Sequence, residues 1–425
     1  MKGFLADHSK GKEIRGGAFS TVKEVKEKIK EVGEEMVIDS TLGVLFDEER
    51  KMATFASVWD GYDSLERHQK AGYAEAMIGN KDFLDAVDKW VFQGIEKEFY
   101  TSIIASAGGS GALSNTIWNY LDEGETLLIP EICWGAYSLM AQEFSLKVGK
   151  YMLFDEKNSF NLESFFEMAE EVMRKEGKVF AIINDPCHNP TGYTMSSREW
   201  EKLIEGVNKL SEQGPVVILN DIAYLDFSFK SLKEARGYME VFNNISEKVL
   251  VVQTFSLSKS FTCYGLRVGA QIGISKNKGV LEEFRRANEF SCRAKWSNVS
   301  NGGMEVIPHI MNSRNIMKSY SEERDGFIKL VRERSEIFLA EAKTHDLPLY
   351  KYVEGFFVTI MVDKDIIDGI HEGLKARNIY TIKQSKGIRI ALCSLPKRKV
   401  AGLAEKIKEV IDEKVMADKK LKCAV

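Results

Sequence analysis

No run of eighteen apolar residues occurs anywhere in the 425-residue sequence, so none of it reads as a membrane-spanning helix. The first seventeen residues are polar and hold no apolar core long enough for a secretory signal, so the expected location is the cytoplasm. Nor is there a long basic block, and the formal net charge is −4, which argues against nucleic acid as the main partner. The six cysteines, Cys133, Cys187, Cys263, Cys292, Cys393 and Cys423, include no C-x-x-C pair and read as reduced thiols of a cytosolic protein. Cys187 and His188 are adjacent, but neighbours in an extended loop point opposite ways and chelate poorly, so no metal is expected. Internal repeats and low-complexity linkers are absent too. What remains is globular material, 44% apolar and 29% charged. The chain is longer than one hydrophobic core usually supports, so at least two domains are expected.

The reactive residues gather at the ends of apolar runs. Val249-Leu250-Val251-Val252 reads as a buried parallel strand leading into Thr254-Phe255-Ser256-Leu257-Ser258-Lys259-Ser260, with Arg267 eight residues past Lys259. Ligands of open α/β sheets collect at such carboxyl ends. A lysine amine there can form a Schiff base with an aldehyde cofactor, and an arginine can clamp its phosphate. Alone, a Ser-rich lysine segment is more often a surface loop, but three other strand ends match it. Val179-Phe180-Ala181-Ile182-Ile183-Asn184 leads into Asp185-Pro186-Cys187-His188-Asn189-Pro190-Thr191-Gly192. Val216-Val217-Ile218-Leu219 leads to Asp221 and Tyr224, and Thr126-Leu127-Leu128-Ile129-Pro130 leads to Trp134 and Tyr137. Singly these are a turn, a cap and a core aromatic. Upstream, Gly108-Gly109-Ser110-Gly111 enters a helical pattern of Leu113, Ile117, Tyr120 and Leu121. Unpaired N–H groups at such a helix start can cradle a phosphate, although the segment matches neither the dinucleotide fingerprint nor the G-x-x-x-x-G-K-[ST] loop.

In their order and spacing these residues resemble the pyridoxal 5'-phosphate-dependent aminotransferases of the aspartate aminotransferase fold, in the branch that handles aspartate and aromatic amino acids. The matching positions are Gly43, Tyr73, Gly109-Ser110-Gly111, Trp134, His188-Asn189-Pro190-Thr191-Gly192, Asp221, Tyr224, Ser256-x-Ser258-Lys259, Arg267, Arg293, Ser297-Asn298 and Arg389. The spacing is 32 residues from Asn189 to Asp221 and 38 from Asp221 to Lys259. The resemblance implies an α/β fold type I: a large domain with a mixed, mostly parallel sheet flanked by helices, at 51–320, and a smaller α/β domain built from both termini, at 1–50 and 321–425. It implies that Lys259 carries the cofactor covalently and then moves the substrate proton, and that Asp221 pairs with the ring nitrogen. Asn189 and Tyr224 would hydrogen-bond the ring oxygen, Trp134 would stack on the ring, and Gly109, Ser110, Gly111, Ser256, Ser258 and Arg267 would hold the phosphate. Arg389 would grip the α-carboxylate of an amino acid or 2-oxo acid, with Gly43 and Asn189 beside it. In a homodimer with shared sites, Tyr73, Ser297 and Arg293 would reach the neighbouring subunit's site, where Arg293 would receive a distal carboxylate.

The sequence departs from the family pattern in places. Tyr137 stands where many dicarboxylate enzymes have a histidine behind the ring-binding aspartate, Ser110 replaces the commoner threonine, and Glu131-Ile132-Cys133 precedes Trp134. Other reactions share the scaffold, such as a β-lyase, because pocket contacts decide which bond is broken. A non-enzymatic sensor would be expected to add a DNA-binding module, and about forty residues precede Gly43. Periodicity predicts helices over 21–32, 311–343, 365–377 and 397–414, strands over 356–360 and 388–392, and a frayed Lys-rich end running to Val425.

Overall fold

The computed structural model describes residues 4–13 and 18–423; residues 1–3, 14–17 and 424–425, with what was expected of them, lie outside it. The chain forms two compact units, one of Met1–Lys51, Glu333–Tyr350 and Phe357–Val425, the other of Met52–Arg332 and Lys351–Phe356. The second junction therefore lies twelve residues beyond the one read from the pattern at 320/321. Nothing in the backbone breaks at that point, because the helix Arg314–Thr344 runs through it. Residues 351–356 return to the larger unit because Val353 and Glu354 donate backbone N–H groups to Gly192 O at 2.8 and 2.9 Å, and Glu354 Oε2 accepts from Ser228 Oγ at 2.8 Å.

The first strand, β1 (Ile38–Asp39), belongs to the smaller unit. The larger unit holds β2 (Tyr100–Ser106), β3 (Thr126–Pro130), β4 (Lys147–Tyr151), β5 (Val179–Asn184), β6 (Val216–Asp221), β7 (Val249–Ser256) and β8 (Gly269–Ser275). They form one seven-stranded sheet in the order β2-β8-β7-β6-β5-β3-β4, parallel except for β8, which is antiparallel to both neighbours. β5, β7 and β8 are buried at every position, as uninterrupted apolar strands covered on both faces should be. The helix Gly108–Tyr120 lays Leu113 and Ile117 on Leu127, Ile129, Phe180 and Leu219 of the sheet. Leu281, Phe284 and Cys292 of the helix Lys278–Lys295 cover Ile104, Leu250 and Val252.

Local signals start and stop the covering helices. In Ser197–Leu210, Ser196 and Glu199 form a reciprocal capping box, and Trp200, Leu203, Ile204, Val207 and Leu210 make the buried stripe. Leu162–Glu176 is capped by Asn161 and ends at Gly177, whose φ of 72° is the left-handed conformation glycine adopts without penalty.

In the smaller unit, β9 (Phe357–Met361), β10 (Ile379–Tyr380), β11 (Ile382–Gln384) and β12 (Gly387–Ala391) complete the strands. β11-β12-β9 is an antiparallel sheet and β1-β10 a parallel pair. Helices Ala18–Val32, Ile367–Ala376, Lys397–Val400 and Leu403–Cys423 accompany them; the last continues well past residue 414, where its pattern was read to end. Buried cations tie the N-terminal segment to the C-terminal one: Arg334 donates to Cys393 O and Asp47 O at 2.9 and 3.1 Å, and Lys399 Nζ to Glu34 O and Val37 O at 2.6 and 2.8 Å.

The larger unit buries one ion pair completely, Asp226 with Arg236. Trp90 Nε1 donates to Asp226 Oδ2 at 3.0 Å and Arg236 Nε to Trp90 O at 2.9 Å. Burial alone would raise the Asp226 carboxyl, but Arg236, Ser260 and Arg324 outweigh it and hold the carboxyl below its ordinary range. Its stabilising contribution is therefore complete above the ordinary carboxylate range and is lost as pH falls through the depressed value. Asp226→Ala, which leaves Arg236 buried and unpaired, should cost about 3–5 kcal/mol in urea unfolding at neutral pH, and a loss below 1 kcal/mol would contradict this account.

Candidate active site

The parallel ladder brings the strand-end residues together. Asn184 of β5, Asp221 of β6 and Thr254 of β7 stand in register across three adjacent strands, so polar side chains far apart in sequence meet at the carboxyl ends of the central strands. Asn184 Nδ2 donates to Asp221 O at 2.8 Å, and its Oδ1 accepts the Asn189 N–H at 2.7 Å. That contact folds the Asn189 loop back over the ends of the strands. Asn189 Nδ2 lies 3.5 Å from the Tyr224 hydroxyl. His188 is buried with Nδ1 2.8 Å from Thr191 Oγ1, and burial lowers its pKa to about 3, so it is neutral and acts within the turn.

Asp221 is buried at the end of β6. Tyr137 donates its hydroxyl to Oδ2 at 2.6 Å, and the Ala223 N–H donates to Oδ1 at 3.1 Å. Burial raises the carboxyl's pKa, while the Tyr137 and Ala223 hydrogen bonds, the Lys259 charge and the Thr254 hydroxyl pull it back. The Tyr137 phenol is held well above its usual pKa by burial and by the Asp221 charge, so it stays protonated and remains a donor. Trp134 meets Tyr137 edge to face, with ring centroids 5.6 Å apart. The Lys259 amine lies 5.7 Å from the Tyr224 ring centroid and 5.7 Å from that of Tyr264, a geometry in which both ring faces favour an ammonium.

A second cluster forms at the other strands. Ser106 of β2, Gly269 of β8 and Ser256 of β7 stand in register. Ser256 accepts the Ser258 N–H at 3.2 Å, and Arg267 Nη1 donates to Ser258 Oγ at 3.1 Å. Arg267 and Gly108 both have left-handed backbones, φ 53° and 67°. A Cβ on Gly108 would come within 2.7 Å of the Arg267 guanidinium, and one on Gly109 within 3.2 Å of Ser256 Cβ. Glycine at both positions thus lets the guanidinium and the serine pack against the start of the helix Gly108–Tyr120, whose first turn carries Ser110 and Gly111.

The remaining expected residues lie elsewhere. Tyr73 is 86% exposed. Arg293 and Ser297 hydrogen-bond each other, and no hydrogen bond or ring contact among the described residues joins them or Tyr73 to the strand-end clusters. Arg389 belongs to the smaller unit, opposite Thr359 and Ile382 in the β9–β12–β11 sheet. It is buried, donates through Nη2 to Thr41 O at 2.6 Å, and holds its guanidinium 4.4 Å from the Phe357 ring centroid. Gly43 follows in the loop two residues after Thr41.

The sequence profile of the family described as "Aminotransferase class I and II" matches residues 43–407. The chain belongs to this family, the pyridoxal-phosphate-dependent class I and II aminotransferases. Among curated proteins, the chain is 28% identical to the aromatic-amino-acid aminotransferase of Pseudomonas aeruginosa over 221 residues, 52% of this chain and 53% of that one. It thus spans about half the length of that relative. With the aspartate aminotransferase of the same organism it shares 23% identity over 397 residues, 88% of this chain and 92% of that one. Among solved structures, an aminotransferase from Anaerococcus prevotii aligns at TM-score 0.92 and 31% identity, covering 96% of this chain and 100% of that one. An aromatic-amino-acid aminotransferase from Burkholderia pseudomallei, solved covalently bound to pyridoxal phosphate, shares the fold at TM-score 0.76 and 20% identity, over 96% of this chain and 100% of that one. The expected α/β fold type I is the one found.

The two clusters fit that cofactor chemically. The Gly108–Gly109 close approach, two serine hydroxyls and Arg267 match a phosphate dianion, the buried Asp221 matches a protonated ring nitrogen, and Lys259 supplies an amine. Tyr264 was missed from sequence; an aromatic five residues after Lys259 is a signal only once the turn is known to bring it back over the amine. Tyr137 was read at a strand end and as a departure behind the aspartate, without a stated contact; that contact with Asp221 crosses 84 positions. Removing that donor leaves a buried carboxylate oxygen short of a partner. Tyr137→Phe should therefore destabilise the cofactor-free protein by about 1–3 kcal/mol in urea unfolding, and an unchanged midpoint would show that the contact carries nothing.

Proposed function

We propose that the protein transfers the amino group of an L-amino acid of the dicarboxylic or aromatic class to a 2-oxo acid such as 2-oxoglutarate, by a two-step ping-pong cycle. The observation that carries the reading is the Lys259 amine, bracketed by Tyr224 and Tyr264 and acting electrostatically on the buried Asp221. Bound pyridoxal phosphate supplies an aldehyde that condenses with amines and a ring that accepts the electron pair left when the substrate Cα–H bond breaks.

The protein's own groups do the rest. Lys259 would hold the cofactor and, as a free amine, would take up and return the proton of the substrate Cα. Asp221, its carboxylate held in place by Tyr137 and Ala223, would keep the ring nitrogen protonated. Asn189 and Tyr224 would donate to the ring oxygen, and Trp134 would lie against the ring. Gly109, Ser110, Gly111, Ser256, Ser258 and Arg267 bind the phosphate.

For the substrate, Arg389 would offer the α-carboxylate two parallel donors, with Gly43 and Asn189 as further candidate substrate contacts. In this reading the protein is a cytoplasmic homodimer in which Tyr73, Ser297 and Arg293 reach the site of a second copy, Arg293 receiving the distal carboxylate or moving aside for an aromatic ring.

The deciding experiment is the visible spectrum of the cofactor-loaded protein after adding L-aspartate, L-phenylalanine or L-alanine without any oxo acid. The cofactor band should convert with aspartate or phenylalanine and scarcely with alanine; equal conversion by alanine would sink the two-arginine pocket. Lys259→Ala should lose the covalent band and lower turnover by roughly 10²–10⁴-fold or more, and a near-normal rate would remove Lys259 from the mechanism. Arg389→Lys, which keeps the charge but not the paired donors, should lower kcat/KM by roughly ten- to a hundredfold.

A further inference from the structure

The larger unit contains a cavity lined by none of the residues placed in the candidate active site. Its volume is about 630 Å³, within the usual size of small-molecule sites. Five cationic side chains surround it: Lys157, Arg198, Lys202, Lys230 and Lys351. None of the five forms an ion pair among the described residues; Lys351 Nζ lies 5.3 Å from the Tyr193 ring centroid, and the Lys230 charge acts on Glu234 and Cys187.

The two carboxylates of the lining are already engaged. Asp155 Oδ1 accepts the N–H groups of Lys157 and Ser159 at 2.9 and 2.8 Å. Glu199 accepts the Phe160 and Ser196 N–H groups at 2.8 and 2.7 Å, and the Tyr193 and Ser196 hydroxyls. Five cations therefore face two carboxylates that local donors hold in place, in a protein whose formal net charge is −4. A concave wall concentrates such a potential. Between the cations, Phe160, Leu162, Met195 and Val353 supply an apolar lining, room for a carbon skeleton as well as for charge.

We propose that this cavity binds a small organic polyanion, with two or more phosphate or carboxylate groups on a short carbon skeleton. Its wall is continuous with the loop that carries Asn189. Thr194 Oγ1 accepts the Cys187 N–H at 2.9 Å, and the Met195 N–H donates to the buried Asp185 at 2.7 Å. A ligand held against Thr194 and Met195 would therefore touch the segment that pairs with Cys187 and Asp185. The proposal does not depend on the transamination reading.

The test is calorimetric titration of the cofactor-loaded protein with citrate and, separately, with inorganic pyrophosphate at low ionic strength, following the visible band in parallel. The expected result is saturable binding of at least one probe that leaves the band unchanged and weakens at least tenfold in the double variant Lys202→Glu, Lys351→Glu. Both positions are exposed, and an intact visible band in the variant reports that it is folded. A control double variant, Lys26→Glu, Lys30→Glu, makes the same change in net charge on the smaller unit and should bind as the parent does. Citrate binding alone would assign carboxylate groups to the ligand, and pyrophosphate binding alone phosphate groups. Absence of saturable binding, equal weakening in both double variants, or no weakening in the Lys202/Lys351 variant overturns the proposal. Failure on any of these counts leaves the spectral response to amino acids untouched, so the two readings fail separately.

Discussion

A carboxylate kept out of water at the end of a parallel strand is the constraint on which the rest of the site depends. Asp221 can remain at the β6 terminus only if hydrogen bonds and a nearby cation offset its desolvation. The Tyr137 hydroxyl and the Ala223 N–H supply the first, and Lys259 supplies the second. Each arrives from a different segment, so the β3-to-helix connection, the turn after β6 and the turn after β7 are all committed by one buried group. The Asn184 side chain then ties the Asn189 loop to the same place.

The second cluster obeys a steric rule rather than an electrostatic one. β2, β8 and β7 bring Ser106, Gly269 and Ser256 level, and a Cβ on Gly269 would fall within 2.8 Å of the Gly108 backbone carbon. Glycine at 108 and 269 allows the strand ends and the helix start to close up, and Arg267 fills the space with charge. The antiparallel insertion of β8 makes this possible, since it sets the strand that follows Arg267 between β2 and β7.

Much of this was legible in the chain. The buried runs of β5, β6 and β7 and the polar residues that terminate them stand out because a strand covered on both faces must be apolar until it reaches its end. The covering helices carry caps at Ser196 and Glu199, and at Asn161 and Gly177, which the reading of the sequence did not single out. The unit boundary was less legible. Residues 351–356 join the larger unit through hydrogen bonds to Gly192 and Ser228, and no local signal in Lys351-Tyr352-Val353-Glu354 specifies such distant partners. The helix Arg314–Thr344 runs across the expected break because a continuous amphipathic pattern carries no mark of where one core ends.

The sequence by itself determined which reactive groups the protein owns and which elements carry them, because backbone propensity, capping and apolar periodicity act over a few neighbouring residues. The tertiary structure alone decided which of those groups meet. The phenol behind Asp221, the second ring beside Lys259, the contact between Gly108 and Arg267 and the five cations around one cavity all depend on strand register and on burial. Those are properties of segments separated by tens to hundreds of residues, and no local rule of the chain encodes them.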